Sequence, residues 1–87
     1  MNVQEMIQQA LKSKNVIIGY KDSIKFIKLN TPKLIVISNN LPESLRKEME
    51  HNAKVGNMKL EVFSGTSKDL GIFCGKPFPV SALVIKG

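Results

Sequence analysis

The chain has 87 residues, which is enough for one domain with one core and leaves no room for a second. Its 13 lysines and arginines against seven acidic residues give a net charge of +6, which predicts attraction to polyanions such as nucleic acid, although solubility alone is the alternative reading. No apolar run approaches the roughly 20 residues of a membrane span, and the N-terminus lacks the pattern of a signal peptide, so we expect an intracellular protein.

The predicted elements alternate between helix and strand along the whole chain. The first helix has apolar residues at helical spacing between Val3 and Leu11, and Asn2 can cap it. In chain order we predict a helix over 3–11, a strand over 16–18, a helix over 20–28, a strand over 34–37, a helix over 42–55, a strand over 58–62, a helix over 68–73 and a strand over 81–85. This order predicts an α/β fold, a three-layer α-β-α sandwich with one sheet.

Two loops follow strands directly, where ligands of α/β folds commonly bind. Gly19 begins a helix whose free N–H groups attract phosphate, and Lys21 adds a positive charge. Asn40, in the second loop, carries a donor and an acceptor and can read a base edge or contact a sugar. The structural alternative is that Gly19 only permits a turn and that Asn39 and Asn40 only cap the third helix.

A third loop, residues 75–79, holds Phe78 between two prolines. An aromatic side chain on rigid backbone is suited to packing on an unstacked base or a sugar, although core packing is its commoner fate. Because this loop precedes its strand, it meets the other two loops only if the last strand runs antiparallel to the first two. We therefore predict a mixed sheet.

The single cysteine and the single histidine limit the chemistry of the chain. Cys74 has no partner for an internal disulfide, and with His51 it cannot build a metal cage. Cys74 is interpreted as a buried structural thiol and His51 as a helix-surface residue. No Gly-x-Gly-x-x-Gly motif, no phosphate-binding Gly-Lys-Ser/Thr loop and no paired nucleophile and base is present. We predict no enzymatic activity, no metal and no cofactor.

Three stretches, in this order, resemble a known protein family. They read IIGYKDSIKFIK, LIVISNNLP and FSGTSKDLGIFCGKPFPVSALVI, and the resemblance extends from about Val16 to Ile85. The chain resembles the L-thirty-e family of archaeal and eukaryotic large-subunit ribosomal proteins, within the kink-turn RNA-binding superfamily that includes L-seven-Ae. The resemblance implies a mixed four-stranded sheet and binding to a kink-turn, a sharply bent helix–bulge–helix RNA with sheared G·A pairs.

The resemblance also implies which residues bind RNA. The family's RNA-contacting glycine, lysine, asparagine and aromatic residue correspond to Gly19, Lys21, Asn40 and Phe78. Members often carry a basic or polar residue at the position of Pro79, so that one contact is expected to be lost here. With the other basic residues expected on phosphates, the predicted RNA-binding set is Gly19, Tyr20, Lys21, Lys25, Lys28, Asn39, Asn40, Arg46, Lys76, Phe78, Pro79 and Val80.

The role implied by the resemblance is structural, within the large ribosomal subunit. The expected partners are kink-turn RNA, in particular ribosomal RNA, and neighbouring ribosomal proteins, with no membrane partner. The free protein is expected to be a monomer in the cytoplasm. Two alternatives stay open at this point: a kink-turn subunit of an RNA-modification or RNA-processing particle, and a small α/β module that binds a protein or an anionic metabolite.

Overall fold

The computed structural model describes residues 2–87 and contains the eight predicted elements in the predicted order. They are α1 (Val3–Lys12), β1 (Val16–Ile18), α2 (Tyr20–Leu29), β2 (Leu34–Ile37), α3 (Glu43–Val55), β3 (Leu60–Val62), α4 (Ser67–Phe73) and β4 (Ala82–Ile85). The bounds of β1 and β2 coincide with the prediction, because turn-forming residues flank two short, purely apolar runs.

The four strands form one sheet in the order β1-β4-β2-β3. β4 lies antiparallel to both β1 and β2, whereas β2 and β3 are parallel. The last strand therefore enters the sheet between two earlier ones and runs against them. This arrangement confirms the predicted mixed sheet, and it brings the loop before β4 to the same edge as the loops after β1 and β2.

Helices cover both faces of the sheet, which confirms the three-layer sandwich. One core half lies under α1 and α4 and includes Ile7, Leu70 and Leu83. The other lies under α2 and α3 and includes Ile27, Met49 and Val84. Alternate residues of β2 and β4 supply both halves, so every residue of these two central strands is buried. Burial on both faces is why these strands are apolar throughout.

Three helices end in the same hydrogen-bonded turn, the Schellman motif. In α1 the N–H of Asn15 donates to the carbonyl of Ala10 at 2.8 Å, and that of Lys14 donates to the carbonyl of Leu11 at 3.3 Å. The ends of α3 and α4 repeat the pattern. The motif places one residue in the left-handed region, and here these residues are Lys14 (φ 57°), Asn57 (φ 54°) and Gly75 (φ 72°).

The third strand differs most from its prediction. Alternation of Met58, Leu60 and Val62 predicts one half-buried face, but Met58 precedes β3 and Val62 is 40% exposed. β3 is an edge strand with a partner on one side only, so its end is poorly covered. Phe63 enters the core instead, with its ring centroid 5.5 Å from that of Phe73.

Cys74 and His51 lie where the sequence places them. Cys74 is buried against the α1–α4 core half, and burial raises the pKa of its thiol. His51 is exposed on α3. Within residues 2–87 no three histidine, cysteine or acidic side chains are grouped so that they could hold a metal ion.

Candidate nucleic-acid interface

Four loops meet at one end of the strands, where β1, β2 and β3 finish and β4 begins. We call this region the loop edge; it consists of residues 18–20, 38–42, 63–67 and 75–81. The N–H of Gly19 donates to the carbonyl of Ala82, and the N–H of Ser38 donates to the carbonyl of Ser81, both at 2.9 Å. These bonds extend the strand pairing beyond the ends of β1 and β2. They hold the first two predicted site loops on either side of the start of β4.

Hydrogen bonds of the same length, from the backbone and from one side chain, connect the other two loops to the first two. The N–H of Asn39 donates to the carbonyl of Gly65, and that of Val80 donates to the carbonyl of Ser67, each at 2.9 Å. The side-chain oxygen of Asn40 accepts a hydrogen bond from the N–H of Ser67, also at 2.9 Å. The loop edge is therefore cross-linked by hydrogen bonds, and its shape is set before any ligand arrives.

Gly19 caps α2 with a backbone conformation that other residues rarely adopt. Its φ of 108° and ψ of 146° fall in a region that is essentially reserved for glycine. A Cβ placed on Gly19 would meet no other atom within 4 Å, so the glycine faces open space. No side chain caps α2, and its first N–H groups have no partner within the helix. An anion can approach this helix start closely.

The α2 lysines form a positive stripe that begins at the loop edge. Lys21, Lys25 and Lys28 are all exposed and follow the i, i+4, i+7 spacing of one helix face. With a rise of about 1.5 Å per residue, Lys28 lies roughly 10 Å along the axis from Lys21. Lys28 is the α2 lysine farthest from the loop edge. It lies at the far end of α2, where it lines a groove with Leu29 and Val55.

Asn40 does not cap the third helix, and this structural alternative from the sequence is wrong. Pro42 occupies the cap position of α3 and makes no side-chain capping bond. Asn40 instead uses its Oδ1 to hold the first turn of α4 through Ser67. Its amide Nδ2, with two N–H donors, is left for a ligand. The exposed side chain of Asn40 therefore presents its N–H donors, while the oxygen that the sequence offers to a ligand also holds α4.

Phe78 is 52% exposed and does not pack in the core, which decides against the alternative for this residue. It lines a mostly apolar groove of about 380 Å³ with Lys68, Ile72, Lys76, Pro77 and Pro79. An aromatic ring held half out of the surface, with lysines beside it, can pack on a nucleotide while the lysines contact its phosphate.

Gly71 supports the Phe78 loop and was not identified from the sequence. A Cβ on Gly71 would lie 2.3 Å from the backbone carbonyl oxygen of Phe78. Only a residue without a side chain lets the loop rest on α4 this closely. The signal was present as a glycine inside a helical pattern, which usually marks close packing.

Val80 is the predicted site residue that needs correction. Its side chain is 1% exposed and packs in the core half under α1 and α4, so it cannot contact RNA. It precedes β4, and its N–H is already bonded to Ser67. Val80 therefore anchors the loop edge from below, and the exposed predicted site residues of this loop are Lys76, Phe78 and Pro79.

Tyr20 and Arg46 lie beside the loop edge and are held by α3. The Tyr20 hydroxyl donates to the Leu45 carbonyl at 3.4 Å and to the carboxylate of Glu48. Burial, and then the hydrogen bond and charge of Glu48, raise the pKa of Tyr20 well above its ordinary value. Arg46 is half exposed in the first turns of α3, with Nε 3.8 Å from a carboxylate oxygen of Glu50.

Among the residues that the structure describes, no helix is long and apolar enough to cross a membrane.

Comparisons with known proteins identify the family. A family model described as "Ribosomal protein L7Ae/L30e/S12e/Gadd45 family" matches residues 1–87. The large ribosomal subunit protein eL30 of Methanothermobacter thermautotrophicus is 41% identical over 86 residues, which cover 99% of this chain and 88% of the relative. The protein of the same name from Methanocaldococcus jannaschii is 40% identical, covering 98% of this chain and 77% of the relative. That of Saccharolobus solfataricus is 37% identical, covering 91% and 73%.

Solved structures share the fold at much lower sequence identity. The Giardia lamblia 15.5kD RNA binding protein superposes with a TM-score of 0.85 at 13% identity, covering 98% of this chain and 71% of that one. A protein with unknown function from Bacillus halodurans also gives a TM-score of 0.85, at 15% identity and 97% and 83% coverage. The fold, the full-length match of the family model and the archaeal relatives confirm the resemblance seen in the sequence: this chain belongs to the ribosomal protein L7Ae/L30e/S12e/Gadd45 family.

Proposed function

We propose that this protein is a non-catalytic component of the large ribosomal subunit that binds a kink-turn in ribosomal RNA and stabilises its bent form. Relatives that share 37–41% of its residues carry the name of a large-subunit ribosomal protein. The observation that carries the proposal is the loop edge, where hydrogen bonds hold the loops of Gly19, Asn40 and Phe78 side by side. RNA in the ribosome, and through it neighbouring ribosomal proteins, are the partners that follow.

Phosphate contacts supply most of the affinity and set the register of the protein on the RNA. Lys21 stands in the first turn of α2, next to the open helix start at Gly19. A phosphate placed there meets backbone N–H groups, the positive end of the helix dipole and an ammonium group together. Lys25, Arg46 and Lys76 extend the positive surface on either side, and the more distant Lys28 acts along the same stripe.

Asn40 supplies the base-reading contact. Because Ser67 fixes its Oδ1, the Nδ2 donors point in one direction and can recognise only acceptor groups. Guanine offers N7 and O6 acceptors, which the deep, narrow major groove of a regular RNA helix keeps from side chains and which become accessible where the helix is interrupted. A rigid donor is thus matched to the G·A pairs of a kink-turn.

Phe78 packs against a nucleotide that the kink throws out of the stack. Base–aromatic stacking is worth about 1–3 kcal/mol per base and is available only when the base is unstacked. The loop edge is pre-formed, so it fits the bent RNA and cannot engage the straight form with all its contacts. Binding therefore shifts the RNA toward the bent state.

The test is a set of binding titrations with a kink-turn RNA and with a control whose G·A pairs are changed, each at several salt concentrations. We expect the wild-type protein to prefer the intact kink-turn strongly. Lys21→Ala should weaken binding to both RNAs and lower the salt slope by about one unit. Lys59→Ala is the matched control, because this exposed lysine precedes β3 at the opposite edge of the sheet.

Asn40→Asp separates base reading from capping. The aspartate keeps an oxygen for the N–H of Ser67 and so preserves the first turn of α4, but it has no N–H donor. We expect the preference for the intact kink-turn over the control RNA to fall. If Asn40→Asp lowered the affinity for both RNAs by the same factor, Asn40 would have no base-reading role. If the wild type bound both RNAs equally and with a steep salt dependence, the proposal would be overturned. Binding would then be non-specific attraction of RNA to the net positive charge.

A further inference from the structure

A second groove leaves the loop edge and follows β1 on the face of the sheet that α1 covers. It is lined by Leu11, Lys14, Val16, Ile18, Lys76 and Phe78, and its volume is about 540 Å³. We call it the β1 groove. It is open because β1 is an edge strand with β4 on one side. The groove has an apolar floor from α1, β1 and Phe78, and a lysine contributed from each end.

The charge of the β1 groove has one sign. Lys14 and Lys76 are exposed, and the described part of the chain contributes no carboxylate to the lining. Apolar side chains between two ammonium groups match a single nucleic-acid strand, with sugars and bases on the floor and phosphates at the lysines. A protein segment would need acidic residues at both ends to be matched equally well.

The position of Lys14 adds an independent observation. Lys14 occupies the left-handed position of the Schellman motif that ends α1, with φ of 57°. Glycine is the usual residue there, and the equivalent positions after α4 and α3 hold Gly75 and Asn57. A lysine carries a Cβ penalty that glycine avoids. The chain thus places a long cation at a turn where glycine would be more stable, and that cation lines the groove.

We propose that the β1 groove binds the RNA strand that leaves the kink, with Lys14 and Lys76 on its phosphates. The inference rests on the proposed function, since Lys76 and Phe78 belong both to the loop edge and to the groove. Because Phe78 also lines the β1 groove, an RNA that packs on Phe78 can continue directly into the groove. The groove then extends the footprint from the kink onto a flanking stem.

Lys14→Gly is the decisive variant, because it removes the cation and also removes the backbone strain of a lysine in the left-handed conformation. We expect its melting temperature to rise, so that a loss of RNA binding cannot be attributed to misfolding. With a kink-turn RNA whose flanking stems are long, binding should weaken roughly fivefold and the salt slope should fall by about one unit. With a kink-turn trimmed to minimal stems, the same variant should bind as the wild type does.

Lys12→Ala is the matched control. Lys12 is exposed in the last turn of α1 and does not line the groove, so neither RNA should distinguish this variant from the wild type. Lys14→Gly binding the long RNA as tightly as the wild type, or losing equal affinity for the long and the trimmed RNA, would overturn the groove proposal. The preference of the wild type for intact over altered G·A pairs, measured alongside, tests the proposed function by itself.

Discussion

At the residue scale, the loop edge depends on a few residues that each hold the structure together beside a surface open to a ligand. Asn40 holds α4 with its oxygen and leaves its N–H donors for a ligand. Gly19 accepts a conformation that would strain another residue by about 1–3 kcal/mol and leaves open space above the helix start. Each residue therefore has a structural task at the surface that we propose binds RNA, and an alanine at Asn40 would remove the bond to Ser67 together with the proposed contact.

Tyr20 gives a prediction at this scale that depends on pH. Tyr20→Phe removes the hydroxyl that bonds to Leu45 and Glu48, and we expect the free energy of unfolding to fall by about 0.5–1.5 kcal/mol at neutral pH. The pKa of Tyr20 is raised in the folded chain, so the hydroxyl stabilises the protein fully below the unfolded-state pKa of about 10. Above that pH the unfolded phenol ionises first, and the contribution is lost.

Denaturant titrations of the wild type and of Tyr20→Phe between pH 7 and 11 measure this difference. The chain has one tyrosine, so no other phenol titrates over this range. We expect the gap between the two stabilities to narrow above about pH 10. A gap that stays constant to pH 11 would mean that the hydroxyl is not held by Glu48 in solution.

At the element scale, the packing of the Phe78 loop on α4 connects the core to the proposed binding surface. The contact depends on Gly71, whose α-hydrogen faces the Phe78 carbonyl. The Thr66 capping box and the Asn40 bond fix the start of the same helix. A short helix is thus held at its start, along its face and, through Gly75, at its end.

Gly71→Ala should separate the Phe78 loop from α4. A methyl group 2.3 Å from a backbone oxygen cannot be accommodated, so the loop must shift, and we expect destabilisation of about 1–3 kcal/mol. Affinity for kink-turn RNA should fall as Phe78 moves. Gly75→Ala is the comparison at the helix end, where a Cβ meets nothing within 4 Å and the cost comes from backbone strain alone. Denaturant unfolding and RNA titration of both variants would test this; equal RNA affinity for Gly71→Ala and the wild type would contradict it.

The sequence predicts these elements well and their connections less well. Purely apolar runs between turn residues locate β1 and β2 to the residue. The requirement that the Phe78 loop meet the Asn40 loop predicts that β4 is antiparallel. Local patterns do not reveal that Asn40 bonds to Ser67, that Val80 is buried or that Lys14 adopts a left-handed turn, because each follows from contacts between residues distant in the chain or from a backbone choice that propensity disfavours.

At the scale of the whole molecule, β4 joins the two halves of the sheet. It lies between β1 and β2, and its side chains enter both core halves. Strand order cannot be read from local sequence, since it depends on which pairings bury the most apolar surface together. The net charge of +6, in contrast, is evident from composition, but its distribution into an α2 stripe and a groove is a property of the fold.

Leu83→Ala tests the central position of β4. Leu83 is 0% exposed, and we expect its truncation to lower the free energy of unfolding by about 2–5 kcal/mol, a large share of the total for so small a chain. Val62→Ala, at the exposed end of the edge strand β3, should change stability by less than about 0.5 kcal/mol. Urea titrations followed by circular dichroism measure the free energy of unfolding of both variants. Similar decreases for the two would argue against a central, stabilising position of β4 in the sheet.

The strand order also has a consequence for synthesis on the ribosome. β1 is made early and pairs with β4, which follows every other element in the chain. The nascent chain therefore cannot complete its sheet until β4 has emerged, and until then β1 and the inner edge of β2 lack their shared neighbour. Such late, long-range pairing slows folding and leaves strand edges exposed. Because Gly19 and Ser38 are fixed by bonds to the start of β4, a chain whose β4 has not yet emerged would also lack the complete loop edge that we propose binds RNA.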